Sequence, residues 1–345
     1  MGGQPQAGVT LRNDLRELVE EISFDELNLQ AEKILPSLGV VERAASYPVL
    51  PREAKMKIPD TSRSPNGTYS RGQWEWGTAS YTTEEYGHEE AVDLTQALEN
   101  KNYLDEEEIS AQLAKEGLLL ARESRVATAL FNETAFAGTA ITNPSETIFD
   151  AATDCLLTVK NEMDDDTNAK PYAVFDLAWK VLRGKNGLAK DQYSAVMSDD
   201  LVDYILRTKE VMDSVVYVEP IVRMSKERKR QFLADYLGIK EIVTISSIFD
   251  TSGLSQNANI SKFWSNEYCL LAKLSDGRKT FRERCIGRQV VWTKYSPDYI
   301  IEDYPEPQKN SRVIRAREYR GIVINTDYGV LLKNMKTTVN ATTGI

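Results

Sequence analysis

The segment from residue 46 to residue 100 constrains this chain more than any other. Pro48, Pro51, Pro59 and Pro65 interrupt its first half. Each removes a backbone donor and blocks an interior helical position, so no long helix forms there. The second half reads TYSRGQWEWGTASYTTEEYGHEEAV, and Tyr, Trp and Thr favour extended backbone. Tyr69, Trp74, Trp76, Tyr81 and Tyr86 are predicted as the aromatic rungs of a long two-stranded ribbon. A hairpin standing alone in water is marginal, and this one has few aliphatic residues to bury. It needs a surface to lie on, and a second copy of the chain would supply one.

The flanking regions have other patterns. Leu11, Leu15, Leu18, Val19 and Ile22 recur near the helical period, and Pro36 and Gly39 break the segment that follows. Residues 1–45 therefore read as an N-terminal arm with little core of its own. Residues 104–131 carry the strongest helical signal. Asp105 and three glutamates fill the first turn, where the helix dipole favours negative charge. Ile109, Leu113, Gly117, Leu120, Ser124, Ala127 and Phe131 form a narrow stripe, suited to packing on a sheet or a neighbouring backbone.

From 145 to 250 the pattern is mixed. Helices are predicted over 145–162, 172–183 (stopped by Gly184), 198–213 and 225–237, with Ser198 and Ser225 as N-caps. A short strand run, 241–249, follows. Beyond 264 strands dominate: YCLLAKL, VIRAREYRGIVIN and YGVLLKN. The last two are separated by Thr326-Asp327, a predicted turn.

Composition excludes several classes. With 52 acidic against 42 basic residues the formal charge is −10, which disfavours tight phosphate binding over a broad surface. No run approaches the ~20 apolar residues of a membrane span, and the N-terminus lacks the basic-then-apolar pattern of a secretory signal. A soluble protein made in a cytoplasm is expected. Cys155, Cys269 and Cys285 are odd in number and widely spaced; they read as buried reduced thiols.

Catalytic patterns are absent. There is one histidine, His88, which reads as a surface or interface residue rather than a base or ligand. No G-x-S-x-G, G-x-x-x-x-G-K-[ST] or G-x-G-x-x-G occurs. The run Asp164-Asp165-Asp166 lacks the spacing and glycine of a calcium loop and reads as a solvated helix end. Lys226, Arg228, Lys229 and Arg230 read as a solvated helix face. No enzyme, metal or cofactor is expected.

Read in order, five stretches resemble the major capsid proteins of tailed bacteriophages, with the Hong Kong 97-type shell fold. They are AEKILPSLGVVERAASYPVLPREA (31–54), YSRGQWEWGTASYTTEEYGHEEAVD (69–93), KEGLLLARESRVATALFN (115–132), FWSNEYCLLAKL (263–274) and SRVIRAREYRGIVINTDYGVLLKNM (311–335). The resemblance implies an α+β fold: an N-terminal arm (1–45), an extended β-hairpin loop (46–100), the spine helix of a peripheral domain (101–144), an axial domain (145–262) and return strands completing the peripheral sheet (263–345). It also implies self-assembly, as hexamers and pentamers, into an icosahedral shell around the phage genome. The partners it brings are portal and scaffolding proteins, a decoration protein in some relatives, and double-stranded DNA held only by loose non-specific contact, with no membrane. The expected location is the virion, after assembly in the host bacterial cytoplasm. The alternative is an encapsulin-type nanocompartment. Some family members crosslink through a loop lysine; Lys55 and Lys57 lie near the loop, but no partner asparagine or acid is matched, and that activity is not carried over. The expected inter-subunit contacts are Trp74, Trp76, Tyr81 and Tyr86, with Arg315 and Arg317 pairing across subunits to Glu84, Glu85 and Glu89.

Overall fold

A computed structural model of the chain describes residues 10–12, 15, 28–49, 58, 60–63, 65–69, 71, 75–100, 105–139, 141–214, 224–252, 257, 259–294 and 298–337. In chain order the N-terminal part gives β1 (Thr10–Leu11), α1 (Ala31–Ile34), β2 (Ser37–Val40), β3 (Ala44–Val49), β4 (Gly77–Thr82), β5 (Glu84–Asp93), α2 (Leu94–Asn100), α3 (Glu106–Leu130) and α4 (Glu133–Phe136). The middle gives β6 (Phe149–Thr153), β7 (Leu156–Val159), α5 (Pro171–Asn186), β8 (Ser194–Ser198), α6 (Asp199–Arg207), α7 (Lys209–Ser214), α8 (Lys226–Leu237), β9 (Glu241–Ile245), β10 (Ile248–Asp250) and β11 (Ile260–Lys262). The remainder gives β12 (Cys269–Ala272), β13 (Gly287–Trp292), β14 (Ile300–Glu306), β15 (Ser311–Ile324) and β16 (Gly329–Lys333).

Two six-stranded sheets organise these elements. In the first, β15 is the hub: residues 311–317 pair with β14, 320–324 with β13 and 311–320 with β5, all antiparallel. β1 extends it beyond β14, and β2 beyond β13. The second runs β6-β7-β16-β12-β8-β9. Short two-stranded pairings join β3 to β4 and β10 to β11.

Helix α3 lies on the first sheet. Asp105 caps it, its carboxylate accepting from the backbone N–H of Glu107 and Glu108. Ala111, Ala114 and Leu118 pack with Val92, Tyr299, Ile301, Ile314 and Ala316, the small alanines letting helix and sheet approach. Its C-terminal end (Val126, Ala127, Leu130) enters the main core, which continues into the second sheet through Phe149, Val196, Leu270 and Leu331. Gly321 is required in β15, because an added Cβ there would land on the Thr82 carbonyl oxygen.

The structure corrects several expectations. The arm is not coreless over 31–40: Ile34, Leu35 and Leu38 are buried, and β2 pairs in parallel with β13. The loop is shorter than 46–100, since β5 is a full strand of the first sheet. The buried face of α3 is not the predicted stripe. Ile109 and Leu113 point to solvent, while Lys115, Arg122 and Glu123 are buried: Arg122 meets Glu318 of the sheet, Lys115 lies over the Tyr299 ring, and Glu123 accepts from Gln30, Ala31 and Trp264. Residues 145–162 form the β6–β7 hairpin rather than a helix, turning at Asp154 with φ 46°. Helix α5 passes Gly184 and stops at Gly187, φ 70°. The predicted 198–213 helix is two, parted at Thr208.

The return segment 263–345 is also divided. Only β13, β14 and β15 complete the first sheet; β12 and β16 are neighbours inside the second. Their sequences are continuous apolar runs, buried at every residue of β12 and at four of the five in β16, as a strand covered on both faces requires. Hence Thr326-Asp327, though a turn, does not make a hairpin: it carries the chain from one sheet to the other. The predicted helix over 11–22, and Lys55 and Lys57, lie largely or wholly outside the described residues.

Candidate functional site

The expected ribbon is formed differently: among the described residues of the aromatic segment only Gly77–Thr82 is a ribbon strand, paired with β3 in register from Ala44↔Thr82 to Val49↔Gly77, and of the predicted rungs there only Tyr81 lies in it. It is exposed along most of its length. Tyr81 is the exception: it is buried and stacks on Phe281 at 5.4 Å between ring centroids, while Tyr47 stacks on the same ring at 4.4 Å. This aromatic stack holds the ribbon's base to the segment before β13. Farther along, Trp76 is 58% exposed and Tyr69 66%. Trp74 lies outside the described residues.

Tyr86 belongs to β5 rather than the ribbon. It is half-buried beneath Arg125 of α3, whose guanidinium carbon sits 3.4 Å from the ring centroid. Its hydroxyl donates to Glu84 Oε2 at 2.9 Å. Burial pushes the Tyr86 hydroxyl above its ordinary value, and the Glu84 bond adds to this.

The predicted partners Arg315, Arg317, Glu85 and Glu89 do meet, but within one chain. β5 and β15 pair so that Glu89 faces Arg315 and Gly87 faces Arg317. On the sheet face away from α3, Arg315 Nη1 is 3.5 Å from Glu89, and Arg317 Nη1 is 2.9 Å from Glu85. Both arginines also hold Glu302 of β14, Arg315 at 2.6 Å and Arg317 at 2.5 Å. Two strands of one sheet satisfy these charges, so cross-subunit pairing is not needed to explain them. Burial works against the Glu85 carboxylate, yet donation from the Tyr319 hydroxyl at 2.7 Å and the Arg317 pair hold its pKa below the ordinary range. For Arg315, burial opposes the charge and Glu302 more than offsets it.

A second set of charges, on the helix side of the sheet, escaped the sequence reading. Glu318 is fully buried and receives Arg122, Arg125 at 2.8 Å and Arg320 at 2.7 Å. Arg320 also reaches Asp298 and the Ser37 hydroxyl. Glu123 of α3 is equally buried; it accepts from the backbone N–H of Gln30 and Ala31 at 3.1 and 2.8 Å, and from Trp264 Nε1 at 2.7 Å. The signal available was the run RAREYR, with charge at both alternating positions of a strand: a sheet polar on both faces must find partners on both.

None of this assembles reaction chemistry. His88 points at the helix, its ring over Gly117, with Nε2 3.2 Å from Glu90. Asp165 is engaged with the backbone N–H of Thr167 and Asn168. Arg230 donates to the Thr244 hydroxyl at 2.9 Å. The three cysteines are buried and free, and burial pushes each thiol up. Among the described residues no cluster of His, Cys, Asp and Glu has a metal-binding arrangement, and no helix is long and apolar enough to cross a membrane.

No family model and no curated protein matches the chain. Solved structures do. A phage-related protein of Bordetella bronchiseptica RB50 superposes with a TM-score of 0.65 at 13% identity, over 96% of this chain and 99% of that one. A structure from Microbacterium phage Oxtober96 gives 0.54 at 12%, over 93% and 98%. The capsid of cyanophage P-SCSP1u gives 0.53 at 11%, over 87% and 86%. At such identities the likeness is one of architecture: the chain has the α+β Hong Kong 97-type shell fold.

Proposed function

We propose that this chain is the major capsid protein of a tailed bacteriophage, assembling as hexamers and pentamers into the icosahedral shell that encloses the genome. The observation that carries the reading is an exposed ribbon, with Trp76 at its solvent side, on a chain whose whole length follows a shell-protein architecture. On this reading the first sheet with α3 is the peripheral domain and the second sheet the axial domain. Trp74 and Trp76 contact neighbouring copies. Tyr81, Tyr86, Glu84, Glu85, Glu89, Arg315 and Arg317 brace the root of the loop inside each subunit and set its direction.

The role is structural, without catalysis or cofactor. The acidic balance of −10 suits a container whose DNA must slide along the wall, so contact with the genome is loose and non-specific. Portal and scaffolding proteins, and in some shells a decoration protein, are the remaining partners. The protein resides in the virion after assembly in the host cytoplasm.

Electron microscopy of the purified protein, alone and with a scaffolding protein from the same phage, tests this. Closed angular particles are expected; a protein that stays monomeric under both conditions would sink the reading. The contents separate the alternative: nuclease-protected DNA marks a virion, a folded enzyme cargo an encapsulin-type compartment.

A further inference from the structure

Two patches at opposite ends of the first sheet carry exposed charges with no ion-pair partner among the described residues, and their chemistry is complementary. One is a groove beside the root of the ribbon, of about 380 Å³, lined by Tyr47, Trp76, Phe281, Arg282, Arg284 and Tyr328 among others. Arg282 and Arg284 are exposed there, and neither forms an ion pair among the described residues. A concave, aromatic-walled groove with cations at its lip accepts apolar side chains flanked by carboxylates.

The other patch is the corner where α2 meets the start of α3. Leu94, Leu98, Ile109 and Leu113 are all exposed, Leu98 at 73%. Spacings of four put each pair on one helical face. Glu99 and Glu116 lie beside them, neither in an ion pair among the described residues.

Strand register separates the patches. Leu94 N–H donates to the Asn310 carbonyl, at the start of β15, whereas Val323 and Asn325, at its end, line the groove. The intervening thirteen steps of strand span on the order of 40 Å. One patch therefore cannot reach the other within a subunit, but it can reach that of a neighbour.

We propose that the acidic, leucine-bearing corner of α2 and α3 docks into the aromatic, arginine-lipped groove of the next copy. This head-to-tail contact closes rings when its rotation permits. The proposal rests on the shell reading for the closed ring, and on charge complementarity and placement for the pairing itself. Duplex DNA, the other ligand for exposed arginines, presents a convex phosphate backbone that does not enter an aromatic-walled groove.

The test uses full-length protein and two double variants, Arg282→Glu with Arg284→Glu, and Glu99→Arg with Glu116→Arg. All four positions are at the surface or beside it, and circular dichroism confirms each fold. Each variant alone should lose at least about tenfold in self-association constant by sedimentation, because like charges now face each other. Mixed in equal amounts, the two should associate again, since each supplies the patch the other's reversed charges need. Self-association of either variant at the wild-type level overturns the pairing, as does failure of the mixture to recover. Wild-type-level assembly with lost retention of a duplex DNA fragment would assign the groove to phosphate instead. Wild-type protein that associates through these patches into open filaments would sink the shell reading and leave the pairing standing.

Discussion

Glu123 is a buried carboxyl group whose partners among the described residues are all donors, the N–H groups of Gln30 and Ala31 and the Trp264 indole. It ties the segment at residues 30–31 and Trp264 to the C-terminal half of α3. Replacing it with leucine keeps the volume and strands three donors, each costing about 1–3 kcal/mol when buried unsatisfied. Glu123→Leu should therefore lower stability by several kcal/mol, read as a fall in the urea midpoint. Glu123→Gln keeps one acceptor oxygen and should lose less. Equal losses in the two variants would show that packing, not hydrogen bonding, matters at this position. Gly321 is the steric counterpart: Gly321→Ala sets a methyl group against the Thr82 carbonyl, and backbone on both sides leaves no rotamer to escape into. A loss of about 1–3 kcal/mol is expected; an unchanged midpoint would show that the β4–β5 junction gives way at little cost.

At the scale of elements, the ribbon and the sheet behind it have separate roles. Residues 50–76 join Val49 to Gly77, the last pair of the β3–β4 register. Substituting an Asn-Gly turn for 50–76 suits a two-residue hairpin connection and leaves β5 and its pairing to β15 intact. The shortened subunit should keep the wild-type melting temperature and form no closed particles under the microscope. Normal particles would remove the loop from assembly; a large drop in melting temperature would assign it to the subunit's own core. A deletion reaching to residue 90 would be uninformative, because it cuts a strand from the hub of the first sheet.

The same separation explains what the chain discloses before it folds. Helices α3, α5, α6 and α8 were legible from local chemistry, Asp105, Ser198 and Ser225 capping three of them through side-chain acceptance. Their ends were less so: the sequence reading puts the end of α5 at Gly184, whereas Gly187 is the residue in left-handed backbone, and it runs α6 through Thr208 into α7. The β6–β7 hairpin was not legible, since FDAATDCLLTV has no clean period of two and its turn uses a non-glycine residue at positive φ. The charge partners were legible as residues but not as pairs. Alternation placed Arg315 and Arg317 on one face, while the choice between a neighbouring strand and a neighbouring subunit depended on register, a non-local property.

At the scale of the molecule, the core that fills the second sheet extends to the end of α3 and to the β2–β13 edge of the first sheet, while the rest of the first sheet keeps two smaller clusters of its own; the extended part is what ties the sheets together. Val126 and Leu130 of α3, Ile34 and Leu35 before β2, and Ile286 at the entry to β13 all join the cluster that fills the second sheet. Tyr193 sits inside it. The residue is fully buried, its hydroxyl donates to Asn186 Oδ1 at 2.6 Å, and burial pushes its pKa from 10.0 up to about 12. Tyr236 is likewise pushed to about 12. The sign follows from linkage: in the unfolded chain these phenols lose their protons near 10, while the folded chain keeps them until about 12. Their contribution is whole below pH 10 and is lost as pH rises through that interval. The urea midpoint should therefore fall between about pH 10 and 12, and less steeply in Tyr193→Phe, which has no proton to release. Because Tyr193 can reach solvent only when the common core opens, its phenolate absorbance should appear together with the loss of far-ultraviolet dichroism. Phenolate signal from Tyr193 well before the dichroism changes would mean that the second sheet opens independently, and that the shared core does not bind the two halves into one cooperative unit.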